Sequence, residues 1–267
     1  MTIDTVPVPR PPVRTLSERG FDLLVWGGLA ALLVAGFHGA EISKISSLFA
    51  GSANMQKLGA EFIKPNFTDY RIYIANMWLT VQMALWGTFF AIGIGAPLGL
   101  AAARNVSPWW IQQPVRRLLD VLRSVPDLVI GAIFVAALGL GPFAGVMALA
   151  INTGGVLGKL FSEAVESIDR GPVEAIRATG AAPLQQIVWG VMPQVAPLWT
   201  SYALYRFEAN ARSATVLSLI GAGGIGQNLF DSINSFAFDQ TSAIVIVIVV
   251  AVSAIDLLSQ IIRTRLL

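Results

Sequence analysis

From Met77 to Ala103 the chain carries no charged residue, and about 20 apolar residues already cross the hydrocarbon of a bilayer. In lipid every backbone polar group must be satisfied within the protein, which restricts spanning segments to helices and closed barrels. This stretch is continuously apolar and does not alternate, so it predicts a transmembrane helix. Composition agrees with that reading. The 267 residues are 55% hydrophobic and 13% charged, against about 25% charged in soluble domains. A net charge of +2, with basic residues spread between apolar blocks, argues against a nucleic-acid surface. The chain has no cysteine and one histidine, His38, which excludes disulfides, thiolate metal sites and a histidine cluster.

Six segments are predicted to span: about Phe21 to Gly39, Met77 to Ala103, Asp127 to Leu140, Phe143 to Leu157, Gln194 to Leu219 and Phe236 to Leu258. The third and fourth are short and are expected to borrow residues from their flanks. The first follows a Pro-rich stretch containing Arg10, Arg14 and Arg19. It is longer than a signal-peptide core and is read as an uncleaved helix behind a disordered tail over residues 1–20. Residues 21–76 then form the first helix and an external loop. Residues 77–267 form the core transmembrane domain. The loop from about Ala40 to Asn76 is polar and is expected to carry a short amphipathic segment.

Even span number puts both termini on one side, with Arg104, Arg116, Arg117, Arg123, Lys159, Arg170, Arg177, Arg263 and Arg265. The other side holds Lys44, Lys57, Lys64 and Arg71. Positive charge collects in cytoplasmic loops, so both termini are expected in the cytoplasm.

Between the fourth and fifth predicted spans, Gly171 to Pro193 reads as a surface knob. Pro172 suits a first helical position, which places Glu174 in the first turn. Gly180 stops that helix and Pro183 starts a second. An ordinary amphipathic loop is the plain alternative. No Gly-x-x-x-x-Gly-Lys-Ser/Thr phosphate loop occurs in the sequence, so the chain is read as non-catalytic.

The knob resembles the signature of ABC-importer permeases: Glu-Ala-Ala, three residues, Gly, nine residues, then Ile-x-Leu-Pro. Glu174, Ala175, Gly180 and Pro193 match at that spacing, while Ile176, Gly190 and Met192 depart from it. Further stretches resemble the phosphonate-type branch, a relative of phosphate and phosphite importers. They include Thr80–Ala84, Gly139–Gly145, Gly154–Glu163 and Tyr205–Leu217 running into Gly221–Gly226. The likeness covers about Thr80 to the C-terminus.

The resemblance implies an all-α, type I ABC-importer permease fold in the bacterial cytoplasmic membrane. It also implies a homodimer, two ATP-binding subunits that grip the coupling loop at residues 171–193, and a solute-binding protein outside. ATP and Mg would sit on the partner ATPase, with no cofactor on this chain. The carried solute would be a phosphonate, phosphate or phosphite. A methionine-type or betaine-type permease is the main rival. An ion-coupled secondary transporter would show paired acids deep in the spans or an inverted repeat, and neither is seen.

Arg206, Glu208, Asn210 and Arg212 fall in the fifth predicted span, where charge is costly and faces partners or water. Glu208 and Arg212 are i,i+4 neighbours and are expected to pair, either for packing or in the solute pathway. That leaves Arg206, grouped with Asn210, as the arginine open to an anion. Lys159 and Glu163 read as helix-end charges. Gly221, Gly223, Gly224 and Gly226 look superficially like a dinucleotide fingerprint, but no strand precedes them. They are expected to turn the backbone sharply at the external end of the fifth span.

Overall fold

The computed structural model describes residues 16–266; the expected tail lies outside the described residues as far as residue 15, including Arg10 and Arg14, whereas its residues 16–20 already belong to the first helix. The chain divides into two compact units at Gly59–Ala60. In the first, α1 (Leu16–Gly39) is followed by a 3-10 turn (Ile42–Lys44), α2 (Ile45–Ala50) and the start of α3 (Ser52–Phe62). Lys44 Nζ donates to Glu41 Oε2 at 2.6 Å. The apolar side chains of α1, such as Leu24, Trp26 and Leu33, are exposed, as a helix in lipid requires.

The first long helix of the second unit is α4 (Tyr70–Ala102), which starts earlier than the predicted span. Residues before it already belong to the second unit. Asn66 Nδ2 donates to Asp239 Oδ2 at 3.1 Å, and Asn76 Nδ2 donates to Asn228 Oδ1 at 2.5 Å. The compact division therefore falls ahead of the expected boundary at 76–77.

The core is α4 against α7 (Pro142–Glu166). Gly87, Ala91, Gly95 and Gly99 recur every fourth residue along one face of α4, and Gly154 and Gly158 do the same on α7. Small residues at that spacing let membrane helices approach backbone to backbone. A Cβ on Gly95 would stand 3.0 Å from the Gly158 nitrogen, and one on Gly99 would stand 2.7 Å from Phe161 Cβ. At one end Phe161 stacks on Trp199, centroids 4.2 Å apart.

Between them in the sequence come α5 (Trp109–Ser124) and α6 (Asp127–Leu138), bent by 87°. Pro126 drives Val125 into extended backbone, and Asn152 Nδ2 donates to the freed Val125 carbonyl at 2.8 Å. The predicted third span needs correction. With 12 residues, α6 is about 18 Å long, too short to cross alone. The borrowed flank is a bent helix and does not continue the axis.

After α7 come α8 (Arg170–Ala178) and α9 (Pro183–Gln186), then a π turn (Ile187–Val191) leading into α10 (Met192–Leu217). A 3-10 turn (Ser218–Ile220), α11 (Ile225–Asn234) and α12 (Phe238–Leu266) complete the chain. Among the described residues there is no strand. Four helices are long and apolar enough to cross a membrane, or five if the bent pair is one broken span. The 26 residues of α10 reach about 39 Å, but its charges set it apart from those four. The last helix runs on to Leu266, so Asp256, expected near a span end, lies well inside it.

Candidate functional site

The knob forms as a helix, a glycine break and a second helix, with two differences from expectation. First, α8 starts at Arg170 because Asp169 caps it, its Oδ1 accepting from Gly171 N at 3.0 Å. Pro172 is therefore the third residue of the helix, and Glu174 lies beyond its first turn. Second, α9 is not separate from the following span but is joined to it through the π turn. Gly180, at φ +83°, makes the left-handed break that glycine adopts at least cost. Glu174, Ala175 and Gly180 are exposed, whereas Val173 and Ile176 turn inward.

They turn onto Gly190, where a Cβ would stand 3.1 Å from Val173 Cα. The Gly at that signature position is what lets α8 lie on the π turn. Gln194 binds the joint together: its Nε2 donates to the Gly190 carbonyl at 2.7 Å, and its Oε1 accepts from Asp169 N at 3.1 Å. An open cleft of about 480 Å³ runs beside the knob, with Asn105, Arg170, Glu174 and Arg177 among its walls.

On α10 the four polar residues divide between two faces. Arg206 and Asn210 are one turn apart and look toward α4 and α7. Arg206 Nη2 donates to Thr153 Oγ1 at 3.4 Å, Thr153 Oγ1 to Asn210 Oδ1 at 2.7 Å, and Asn210 Nδ2 to Thr88 Oγ1 at 2.8 Å. Thr88 Oγ1 ends the line on the Ala84 carbonyl at 2.7 Å. All donors point one way, the arrangement in which hydrogen bonds polarise one another. Arg206 is thus packed into the bundle, its Nε buried without a partner.

Glu208 and Arg212 face α12 and do not pair with each other. Arg263 Nη2 donates to Glu208 Oε1 at 2.8 Å, and Arg212 Nη1 stands 3.4 Å from Asp256 Oδ1. Partners 55 and 44 residues away displace the local i,i+4 pair. Lys159 is likewise not a simple helix-end charge. It lies 3.7 Å from Asp120 Oδ1 on α5.

At the far end of α10, Gly221, Gly223 and Gly224 have φ of +93°, +73° and +100°. Their turn closes on α4 and α7: Ile225 N donates to Thr80 Oγ1 and Gly141 N to the Gly221 carbonyl, both at 3.0 Å. Gly226 differs. It sits in the first turn of α11, where a Cβ would collide with the Thr215 carbonyl, so close packing and not a turn requires glycine there.

Residues 95–267, which hold the knob, α10 and the glycine turn, match the family described as binding-protein-dependent transport system inner membrane component. The chain belongs to this family. It is 38% identical to the phosphite transport system permease protein PtxC of Stutzerimonas stutzeri over 254 residues, 92% of each chain. It is also 47% identical to the phosphate-import permease protein PhnE of Mycolicibacterium smegmatis over 191 residues, covering 70% of this chain and 35% of that one. The inward-facing MetNI methionine ABC transporter superposes with a TM-score of 0.67 at 20% identity, over 76% of this chain and 99% of that one. That likeness establishes a shared permease fold.

Three features of this permease escaped the sequence. Gln194 looked like one polar residue at a span start. Asp256 and Arg263 looked like charges at or beyond a span end.

Proposed function

We propose that this permease forms half of the pore of an ATP-driven importer for a phosphorus oxyanion (phosphite, phosphate or phosphonate). The observation that carries the reading is the exposed knob, Glu174 to Pro193, continuous through the π turn with the charged helix α10. A push on α8 reaches α10 directly, through its seat on Gly190 and the two Gln194 hydrogen bonds, and not only through the Gly180 break. The names of the relatives support the substrate class.

In this reading two ATP-binding subunits hold ATP and Mg and grip Glu174, Ala175 and the Gly180 break, with Pro193 at the root of the moving helix. Two copies of the chain enclose the path, and a solute-binding protein docks near Gly221, Gly223, Gly224 and Gly226. The coupling end and both termini face the cytoplasm, in line with the basic residues along α5 and α8. Arg206, Glu208, Asn210 and Arg212 belong to the pathway wall, Arg206 and Asn210 by fixing α10 on α4 and α7.

The test is uptake of labelled phosphite, phosphate and a phosphonate by membranes holding the permease together with an ATP-binding subunit and a solute-binding protein of the phosphorus-oxyanion importer type. ATP-dependent accumulation of at least one is expected. Uptake of methionine or betaine with none of the three would overturn the substrate class.

A further inference from the structure

The depth of the ion pairs on α12 follows from the bundle. Thr88 lies two residues past Trp86, the midpoint of α4, and accepts from Asn210. Arg212, two residues further along α10, therefore sits about 3 Å from that level, abreast of the charge-free stretch Met77–Ala103 of α4. So does Asp256, its partner.

Yet the pair is not enclosed. The Arg212 and Asp256 side chains are 51% and 45% exposed in the chain. Arg212 offers five N–H donors, and among the described residues they meet one acceptor at 3.4 Å. Beside it on α12, Ser253 and Gln260 fall on the same face as Asp256, spaced 3 and 4 residues either side, and both are exposed. Tyr205, 54% exposed, continues the stripe two turns back on α10. Neither the Gln260 nor the Tyr205 side chain has a hydrogen-bond partner among the described residues. The Glu208–Arg263 pair is tighter and better covered, and it closes one edge of the stripe.

Hydrocarbon cannot lie against such a surface, because polar side chains at this depth face protein or water. A dry contact with another protein would need matched acceptors for every spare Arg212 donor and for the Gln260 amide. Water supplies them without matching, and so does a small anion with several oxygens. Guanidinium binds such oxyanions through paired N–H groups.

We propose that this stripe lines the solute path, and that Arg212, loosely held by Asp256, is the cation the passing oxyanion meets. This rests on the pore reading above and moves the anion contact from Arg206, which is packed inward, to the opposite face of α10. Asp256 acts as a resident counter-ion that the solute displaces, so the path holds no net charge when empty.

The chain has no cysteine, so a single introduced cysteine is the one thiol in the permease band, and its labelling is read on that band after separation from the partner subunits. Ser253→Cys and Gln260→Cys are placed in the full permease, expressed with its partner subunits, in right-side-out and inverted vesicles. Each is treated with anionic sulfonatoethyl and cationic trimethylammonioethyl methanethiosulfonate. Both sites are expected to react in at least one vesicle orientation, while Leu258→Cys, exposed on the opposite face of α12, stays unlabelled.

The anionic reagent is expected to be favoured. Adding Arg212→Gln should cut that preference roughly tenfold, and Asp256→Asn alone should raise it. Asp256→Asn keeps the test available if Arg212→Gln does not accumulate. No labelling at either site overturns the proposal, as does labelling replaced by disulfides between two copies. A charge preference unmoved by both variants overturns the role of Arg212. Protection by millimolar phosphite or phosphate supports the whole. Labelling with the anionic preference but no protection by either leaves the stripe standing and sinks the phosphorus-oxyanion reading alone.

Discussion

Asn210 has no exposed surface, and both ends of its amide are used, one by Thr153 and one by Thr88. Side-chain hydrogen bonds between membrane helices average about 0.6 kcal/mol and reach about 1.7, so two of them put Asn210→Leu at about 1–3 kcal/mol of destabilisation. The expected result is a lower thermal midpoint in detergent, with Asn210→Asp milder because it keeps an acceptor for Thr153. Equal midpoints for wild type and Asn210→Leu would show that the relay does not hold the bundle. The sequence pointed to Arg206, Glu208, Asn210 and Arg212, because polar residues in an apolar helix stand out. It could not assign their partners. The i,i+4 rule sees only its own helix, whereas Asp256 and Arg263 are brought in by tertiary packing.

At the scale of elements, the knob was legible, because Gly, Pro and Glu at fixed spacing restrict the backbone directly. The α5–α6 bend was not. Ser-Val-Pro reads as an interruption, but an 87° turn depends on Asn152 accepting the role of partner to Val125 from another helix. The joint between α8 and α10 gives the second prediction. Gly180→Val places a β-branched side chain at φ +83°, where such residues are strained. It should leave the permease in the membrane but break the coupling of ATP hydrolysis to uptake. The readout is the ratio of solute moved to ATP hydrolysed in reconstituted vesicles. A ratio equal to wild type would remove the knob as the coupling element.

For the whole molecule, the all-helical class and most span positions followed from hydropathy alone. The division into units did not, since residues 66–76 look like loop until Asp239 and Asn228 are placed beside them. Orientation is the prediction that belongs here. Basic residues gather on α5, α8 and the end of α12, and that side is expected in the cytoplasm. A C-terminal fluorescent-protein fusion, which matures only in the cytoplasm, should glow, and a C-terminal alkaline phosphatase fusion should be inactive. The reverse pattern would invert the pore and move the knob out of reach of any cytoplasmic ATPase.

The π turn at Ile187–Val191 amounts to one residue more than an α-helix needs over the same rise. Each residue of helix turns the chain by about 100°. The bearing of the knob around the axis of α10 is therefore fixed by a count: with one residue fewer, Glu174 would point to a different quarter of the compass. Any subunit that grips this permease is fitted to that angle as much as to the side chains. Relatives that differ by one residue in this joint would then be mechanically incompatible with each other's motors even where the knob sequence itself is unchanged.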